Sequence, residues 1–378
     1  MFPDRIEHKS LRDMVDKATQ SSPARGSRGR AKAVPKTAPV KANGHRPADI
    51  PSAHPRPSSR RNYAALDLGT NNCRLLIARP EGARFTVVDA FSRIVRLGEG
   101  LAATGAISDA AMDRALSALS VCADKLVRRN VHMARSVATE ACRRASNGAE
   151  FVERVYRETG IKLDIISPQE EARLAVLGCH ALLEDGDGPA LIFDIGGGST
   201  ELVLVETSSG APRTLDWRSL PWGVVSLSES VPHDSNDASA RTAAYAQMRA
   251  QVRESIGSFA NILGDARGVD CRLLGTSGTV TTLASVYLGL THYERRLVDG
   301  LRVDVTAMRD ICTMLADQSV KTRGQQPCIG PERADLVVAG CAILESIFDV
   351  WPAERVGVAD RGIREGILRQ LMAAGDRV

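Results

Sequence analysis

Apolar residues come in short bursts along this chain, and the bursts come in threes. Tyr63–Leu68 reads as a strand, Cys73–Arg79 as its partner and Arg84–Phe91 as a third. Ala190–Asp194, Thr200–Glu206 and Arg213–Trp217 repeat the triplet further on. Short apolar runs bounded by Gly, Asn, Asp and Ser predict strands joined by tight turns. After each triplet the period lengthens. Ser108 before Asp109-Ala110-Ala111-Met112-Asp113 predicts a capped helix running to about Arg129. A strand at Met133–Ala138, a helix over Asn147–Glu158, a short strand at Leu163–Ile166 and a helix beginning at Ser167 follow. The second half continues with a helix from about Asp237 to Leu263, then a strand at Cys271–Gly275 feeding a helix from Ser277. Helices over Val305–Ala316, Pro331–Ile347 and Asp360–Met372 complete the set. Three strands and then alternating helices and strands, twice over, predict an α/β protein of two related lobes. The expected boundaries are 62–186 for lobe I and 187–358 for lobe II, with a C-terminal helix in 359–378 returning to lobe I.

The turn inside each triplet carries the candidate chemistry. Asp67-Leu68-Gly69-Thr70-Asn71-Asn72 leads into Cys73-Arg74-Leu75, and Asp194-Ile195-Gly196-Gly197-Gly198-Ser199-Thr200 leads into Glu201-Leu202-Val203. Glycine lets backbone N–H groups approach an anion closely. Each Asp stands where a carboxylate can hold a metal ion that the anion also touches. Two such loops facing each other across a cleft would grip a phosphate chain from both sides. Leu274-Gly275-Thr276-Ser277-Gly278-Thr279 follows the same logic of strand, small hydroxyl residues and helix, although such a turn alone is weak evidence.

Other segments add candidates. In Ser167-Pro168-Gln169-Glu170-Glu171-Ala172-Arg173, a cap, a proline at the first helical position and Glu170 form a capping box. Glu170 is then expected to reach back to the Ser167 N–H, leaving Glu171, about 100° further round, free. Read alone, both glutamates simply stabilise a helix start; the two loops reverse that preference. Arg143, in Thr139-Glu140-Ala141-Cys142-Arg143-Arg144, has a planar fork suited to a phosphoryl oxygen and follows a strand's C-terminal end. His233-Asp234 lacks nearby partners and is rejected as a metal site, and G-x-x-x-x-G-K-[ST] is absent.

Composition changes the picture in one respect. The net charge of +4 conceals a basic leading segment: residues 1–61 hold 14 Lys and Arg against 5 Asp and Glu, and the rest holds 35 against 40. From Ala18 to Arg61 large apolar side chains are almost missing, which predicts a disordered basic tail. Without interleaved aromatics for base stacking, it is expected to bind anions weakly at most, with no specific nucleic acid as partner. Eight cysteines without a C-x-x-C pair, no apolar signal core and no bilayer-length apolar run point to a cytoplasmic protein with no membrane partner.

Taken together, these segments resemble the exopolyphosphatase/guanosine pentaphosphate phosphatase (Ppx/GppA) family, within the actin–sugar kinase–Hsp70 group. The resemblance runs from Tyr63 onward. It rests on Ala65–Asn71, Glu170-Glu171-Ala172-Arg173, Asp194–Glu201, Gly275–Thr279, Glu332-Arg333-Ala334-Asp335 and Arg364-Glu365-Gly366. It implies two ribonuclease H-like lobes of the actin-like ATPase type with a cleft between them. It further implies Glu171 as general base for water and Arg143 as a phosphate-contacting catalytic arginine. Asp194 and Glu201 are implied as carboxylates handling Mg²⁺ or another divalent cation. The implied phosphate contacts are Asp67, Gly69, Thr70, Asn71, Asn72 and Cys73 in the first loop, Gly196, Gly197, Gly198, Ser199 and Thr200 in the second, and Gly275, Thr276 and Ser277 in the third. Members often form dimers, so a homodimer is the corresponding expectation. The leading activity is release of terminal phosphate from inorganic polyphosphate, with removal of the 5′-phosphate of guanosine pentaphosphate as its sibling. A kinase or chaperone of the same fold, and a non-catalytic sensor of alarmone or polyphosphate, are the readings from other classes.

Overall fold

The computed structural model describes residues 61–375 apart from 83, 187–188, 208–211 and 262–270. The basic tail expected over 1–61 lies outside the described residues except for Arg61.

Two mixed sheets are built to one plan. In the first, β1 (Asn62–Leu68), β2 (Asn72–Glu81) and β3 (Arg84–Ile94) form an antiparallel meander. β4 (Val131–Ala138) adds parallel to β1, and β5 (Leu163–Ile165) adds parallel to β4, giving the order β3-β2-β1-β4-β5. In the second, β6 (Pro189–Ile195), β7 (Thr200–Glu206) and β8 (Arg213–Leu220) repeat the meander. β9 (Arg272–Thr276) and β11 (Arg355–Ala359) extend it in parallel, and β10 (Arg302–Asp304) closes the far edge antiparallel. The order is β10-β11-β9-β6-β7-β8.

Alternation along β2 separates two layers. Cys73, Leu75 and Ile77 point into one core with the helix Asp109–Arg128, while Leu76 and Ala78 point into another with the helix Ile363–Gly375. The helix Pro168–Cys179 joins the lobes because two of its faces are apolar. Leu174 and Ala175 pack with the first sheet and the C-terminal helix, whereas Ala172, Val176 and Cys179 pack against β6, β7, β9 and β11. Its close neighbour is Ile363–Gly375: a Cβ at Gly178 would lie 2.0 Å from the Gly362 carbonyl, and one at Gly366 2.1 Å from that of Leu174. Substituting either glycine is therefore expected to destabilise the fold by about 1–3 kcal/mol, measurable by chemical denaturation.

Local signals locate most helix starts. Ser108 Oγ accepts from the Ala111 N–H, and Ser167 Oγ from that of Glu170. The helix expected from Asp237 spans Ala238–Ile256 and gives way at Gly257 (φ 48°) to a 3₁₀ turn. The helix expected over Pro331–Ile347 starts later, at Val337, because residues after Gly330 (φ 67°) form tight turns. All eight cysteines are free thiols, and no described helix is long and apolar enough to cross a membrane.

Candidate active site

The repeated meander makes the two loops alike down to their turns. The Gly69 N–H donates to the Asn72 carbonyl at 2.9 Å, and the Gly196 N–H to that of Ser199 at 3.0 Å. Asp67 is the penultimate residue of β1, opposite Arg74 on β2, and Asp194 the penultimate residue of β6, opposite Glu201 on β7. The loops meet head to head. A Cβ at Gly197 would stand 2.9 Å from Thr70 Cβ, and one at Gly198 2.7 Å from Thr70 Oγ1 and 2.8 Å from Glu140 Cγ. Here glycine serves close approach: any side chain would push the loops apart.

Between them lies a cleft of about 120 Å³. Asp67, Gly69, Thr70, Asn71 and Asn72 line one side, and Asp194, Gly196, Gly197, Gly198 and Ser199 the other, with Glu171 and Ser277 beside them. Ser277 holds φ 79°, an uncommon conformation for a non-glycine residue, at the helix start that meets the cleft. One lip is tied between lobes: Arg96 donates to both Asp335 oxygens at 3.0 and 3.3 Å and to the Glu332 carbonyl, while the Gly100 N–H donates to Glu229.

Several expected residues lie elsewhere. Cys73 is fully buried in the lobe I core, because alternation turns its side chain away from the layer that Arg74 faces. Thr200 is fully buried with its hydroxyl donating to the Trp222 carbonyl, and Gly275 is hemmed in by Phe193. Thr276 Oγ1 donates to the Arg361 carbonyl, below the cleft. Glu170 does not reach back to Ser167. Its oxygens accept from Arg135 and Arg173 at 2.7–3.0 Å, since charged donors hold a carboxylate more strongly than one neutral N–H. Arg143 is not part of the cleft lining; all five of its N–H groups meet Glu140, Glu171 and the Ile166 carbonyl.

The structure adds residues that motif reading passed over. Arg74 lines the cleft and finds no hydrogen-bond acceptor among the described residues. The alternation of β2 was the available signal, since it places Arg74 on the face opposite Cys73. Thr139, Glu140 and Arg333 complete the polar lining, with Arg333 donating to Thr282 Oγ1 at 3.1 Å.

Four carboxyl groups at this site are withdrawn from water: Asp67, Glu171 and Asp194 line the cleft, and Glu201, although buried, is not part of the lining. Burial pushes Asp67 up to about 6, against the pull of Arg74 and Arg364. Burial, then the charge of Asp194, pushes Glu201 up to about 7, although the Ser199 and Ser219 hydroxyls donate to it. Asp194 is raised by burial, and Glu171 is held well above the usual carboxylate range by burial and Glu201, against the pull of Arg143. Folded pKa values above the unfolded ones favour folding at low pH, and that contribution is lost as pH rises through about 6 for Asp67 and about 7 for Glu201. Ligand-free protein is thus expected to melt at a lower temperature near pH 8 than near pH 5. A thermal scan that is flat or rising across that window would contradict this.

Among the described residues, no group of three or more His, Cys, Asp or Glu side chains forms a ready metal cage. Magnesium commonly takes one or two carboxylates, with waters and substrate phosphates completing its shell. The paired Asp194 and Glu201, and Asp67 with its unpartnered buried Oδ1, suit that mode.

Comparison with known proteins agrees with this geometry. The model of the Ppx/GppA phosphatase family matches residues 76–374. Exopolyphosphatase 2 of Mycobacterium tuberculosis is 32% identical over 326 residues, covering 82% of this chain and 98% of that protein. The crystal structure of an exopolyphosphatase-like protein superposes with a TM-score of 0.74 at 28% identity, covering 83% of this chain and 99% of the other. The Aquifex aeolicus member of the Ppx/GppA family gives a TM-score of 0.66 at 25% identity over 84% of this chain and 99% of its own. With the family's pattern spanning most of its length and two glycine loops opposed across a carboxylate-lined cleft, this chain belongs to the Ppx/GppA phosphatase family.

Proposed function

We propose that the protein is a phosphoanhydride hydrolase that releases terminal phosphate from inorganic polyphosphate, by in-line attack of water with a divalent cation present. The observation that carries this reading is Glu171. It is 7% exposed, lines the cleft between the glycine loops, and has one oxygen held by Arg143. A buried carboxylate whose pKa burial and the Glu201 charge hold above the usual carboxylate range suits a general base, which typically supplies about 10²–10⁴-fold in rate. The mycobacterial relative is named Exopolyphosphatase 2, which supports the polyphosphate reading. Removal of the 5′-phosphate from guanosine pentaphosphate uses the same apparatus and is the second reading.

The terminal phosphoryl group then lies between the loops, with N–H groups of the two loops other than those of Gly69 and Gly196, which close the turns, facing its oxygens. Phosphoryl transfer to water depends on alignment and charge neutralisation more than on covalent help. Arg74, which faces Asp67 electrostatically but donates no hydrogen bond to a described residue, meets the chain with its guanidinium N–H groups. Glu171 takes the proton of the attacking water. Asp194 and Glu201, with Asp67 opposite, would hold Mg²⁺, which when bound neutralises charge on the phosphoryl oxygens. Arg74→Met is expected to raise KM for polyphosphate by about tenfold or more with a smaller change in kcat; an unchanged KM would exclude Arg74 from the binding site.

The test is phosphate release from polyphosphates of several lengths and from guanosine pentaphosphate, with Mg²⁺ and with excess chelator. Release is expected to stop in chelator. Undiminished release there would remove the metal role of Asp194 and Glu201, and no release from either substrate would remove the hydrolase reading.

A further inference from the structure

The five donors of Arg143 are shared among two glutamates and one backbone carbonyl. Nε and Nη2 donate to Glu140 Oε2 at 3.1 and 2.6 Å, and Nη1 donates to the Ile166 carbonyl at 2.6 Å. The two remaining N–H groups, one on Nη1 and one on Nη2, both meet Glu171 Oε2 at 3.1 Å. No hydrogen bond from a described residue reaches Glu171 Oε1. Arginine facing a lone carboxylate ordinarily closes on both oxygens as a fork. Here it does not: Glu140 takes the shortest carboxylate contact, from Nη2 at 2.6 Å, and with the Ile166 carbonyl on Nη1 at 2.6 Å it holds the guanidinium to one side. Glu140 is itself mostly enclosed, with side-chain exposure of 14%, and its stem rests against the second glycine loop at Gly198.

We propose that Glu140 is a positioning residue: by holding Arg143 off-centre, it confines that cation to one oxygen of Glu171 and leaves the other open for the attacking water. This rests on the reading of Glu171 as base. Glu140 touches neither the water nor the phosphoryl group in this role and acts only through Arg143. If Glu140 is lost, Arg143 swings to pair with both oxygens of Glu171 and occupies the base. If Arg143 is also absent, there is nothing left for Glu140 to restrain.

A double-mutant cycle separates this from a direct role. Glu140→Ala is expected to lower kcat for phosphate release by about ten- to a hundredfold, with KM within about twofold of native. Glu140→Gln, which keeps one acceptor oxygen for Arg143, should fall between Ala and native. Placed in an Arg143→Ala background, Glu140→Ala should change kcat by less than about twofold. Melting temperatures of the single variants identify any that fail through folding, and Glu140→Gln keeps the test alive in that case. Effects that multiply in the cycle would overturn the proposal, as would a KM rise matching the fall in kcat or an unaffected Glu140→Ala enzyme. A Glu171→Gln variant that still turns over would remove the base and this proposal with it. An inactive Glu171→Gln variant beside a multiplicative cycle would remove this proposal alone.

Discussion

Replacing Glu171 by Gln is expected to slow phosphate release by about 10²–10⁴-fold while leaving anion binding nearly intact. The substitution keeps the shape of a buried side chain on the helix Pro168–Cys179, so the apolar faces that join the lobes are not disturbed. It also keeps an oxygen for Arg143. What it removes is a carboxylate able to accept a proton. Single-turnover phosphate release and equilibrium binding of a short polyphosphate, measured on the same preparation, check both halves. A Gln variant with native turnover would reject the base, and one that has lost binding as well would mean that Glu171 holds the site together.

The second large effect is expected from Gly198→Ala. The added methyl would lie 2.7 Å from Thr70 Oγ1 and 2.8 Å from Glu140 Cγ, closer than real Cβ contacts come. Relief requires the loops to separate by a few tenths of an ångström or more, and two of the displaced groups line the cleft. Misplacing a reacting centre by about 1 Å can lower the rate by about 10²-fold. The rate is therefore expected to fall by about that factor, with less effect on melting temperature than Gly366→Ala, which strikes a backbone carbonyl in the packed helix pair. An active Gly198→Ala enzyme would show that the loops need not meet so closely.

Much of this architecture was legible because its signals are local. The strand triplets, the Ser108 and Ser167 caps and the twin Asp–Gly turns each depend on neighbours in sequence, and each is found in place. Glu171 was separable from Glu170 by helix geometry alone. The specific partner of Glu170 was not, since Arg135 lies on β4 and no local rule brings it to the helix start. The same holds for Arg143: its fork suited phosphate, but only the folded chain shows Glu140, Glu171 and the Ile166 carbonyl already saturating it. Cys73 was included with its loop although strand alternation turns it into the core. Arg74 was passed over for the complementary reason, since it looks like an ordinary polar position of a half-exposed strand until the second lobe closes over it. Thr200 and Gly275 show that a loop motif mixes residues that face a ligand with residues that only allow the turn to pack.

The central claim is that water attacks the terminal phosphorus of a chain gripped between the two glycine loops. It is tested most directly by turnover of polyphosphate in water enriched in heavy oxygen, followed by mass spectrometry of the products. A single heavy oxygen is expected in each orthophosphate released, and none in the shortened chain. Label in the remaining chain, or internal cleavage without orthophosphate, would contradict it.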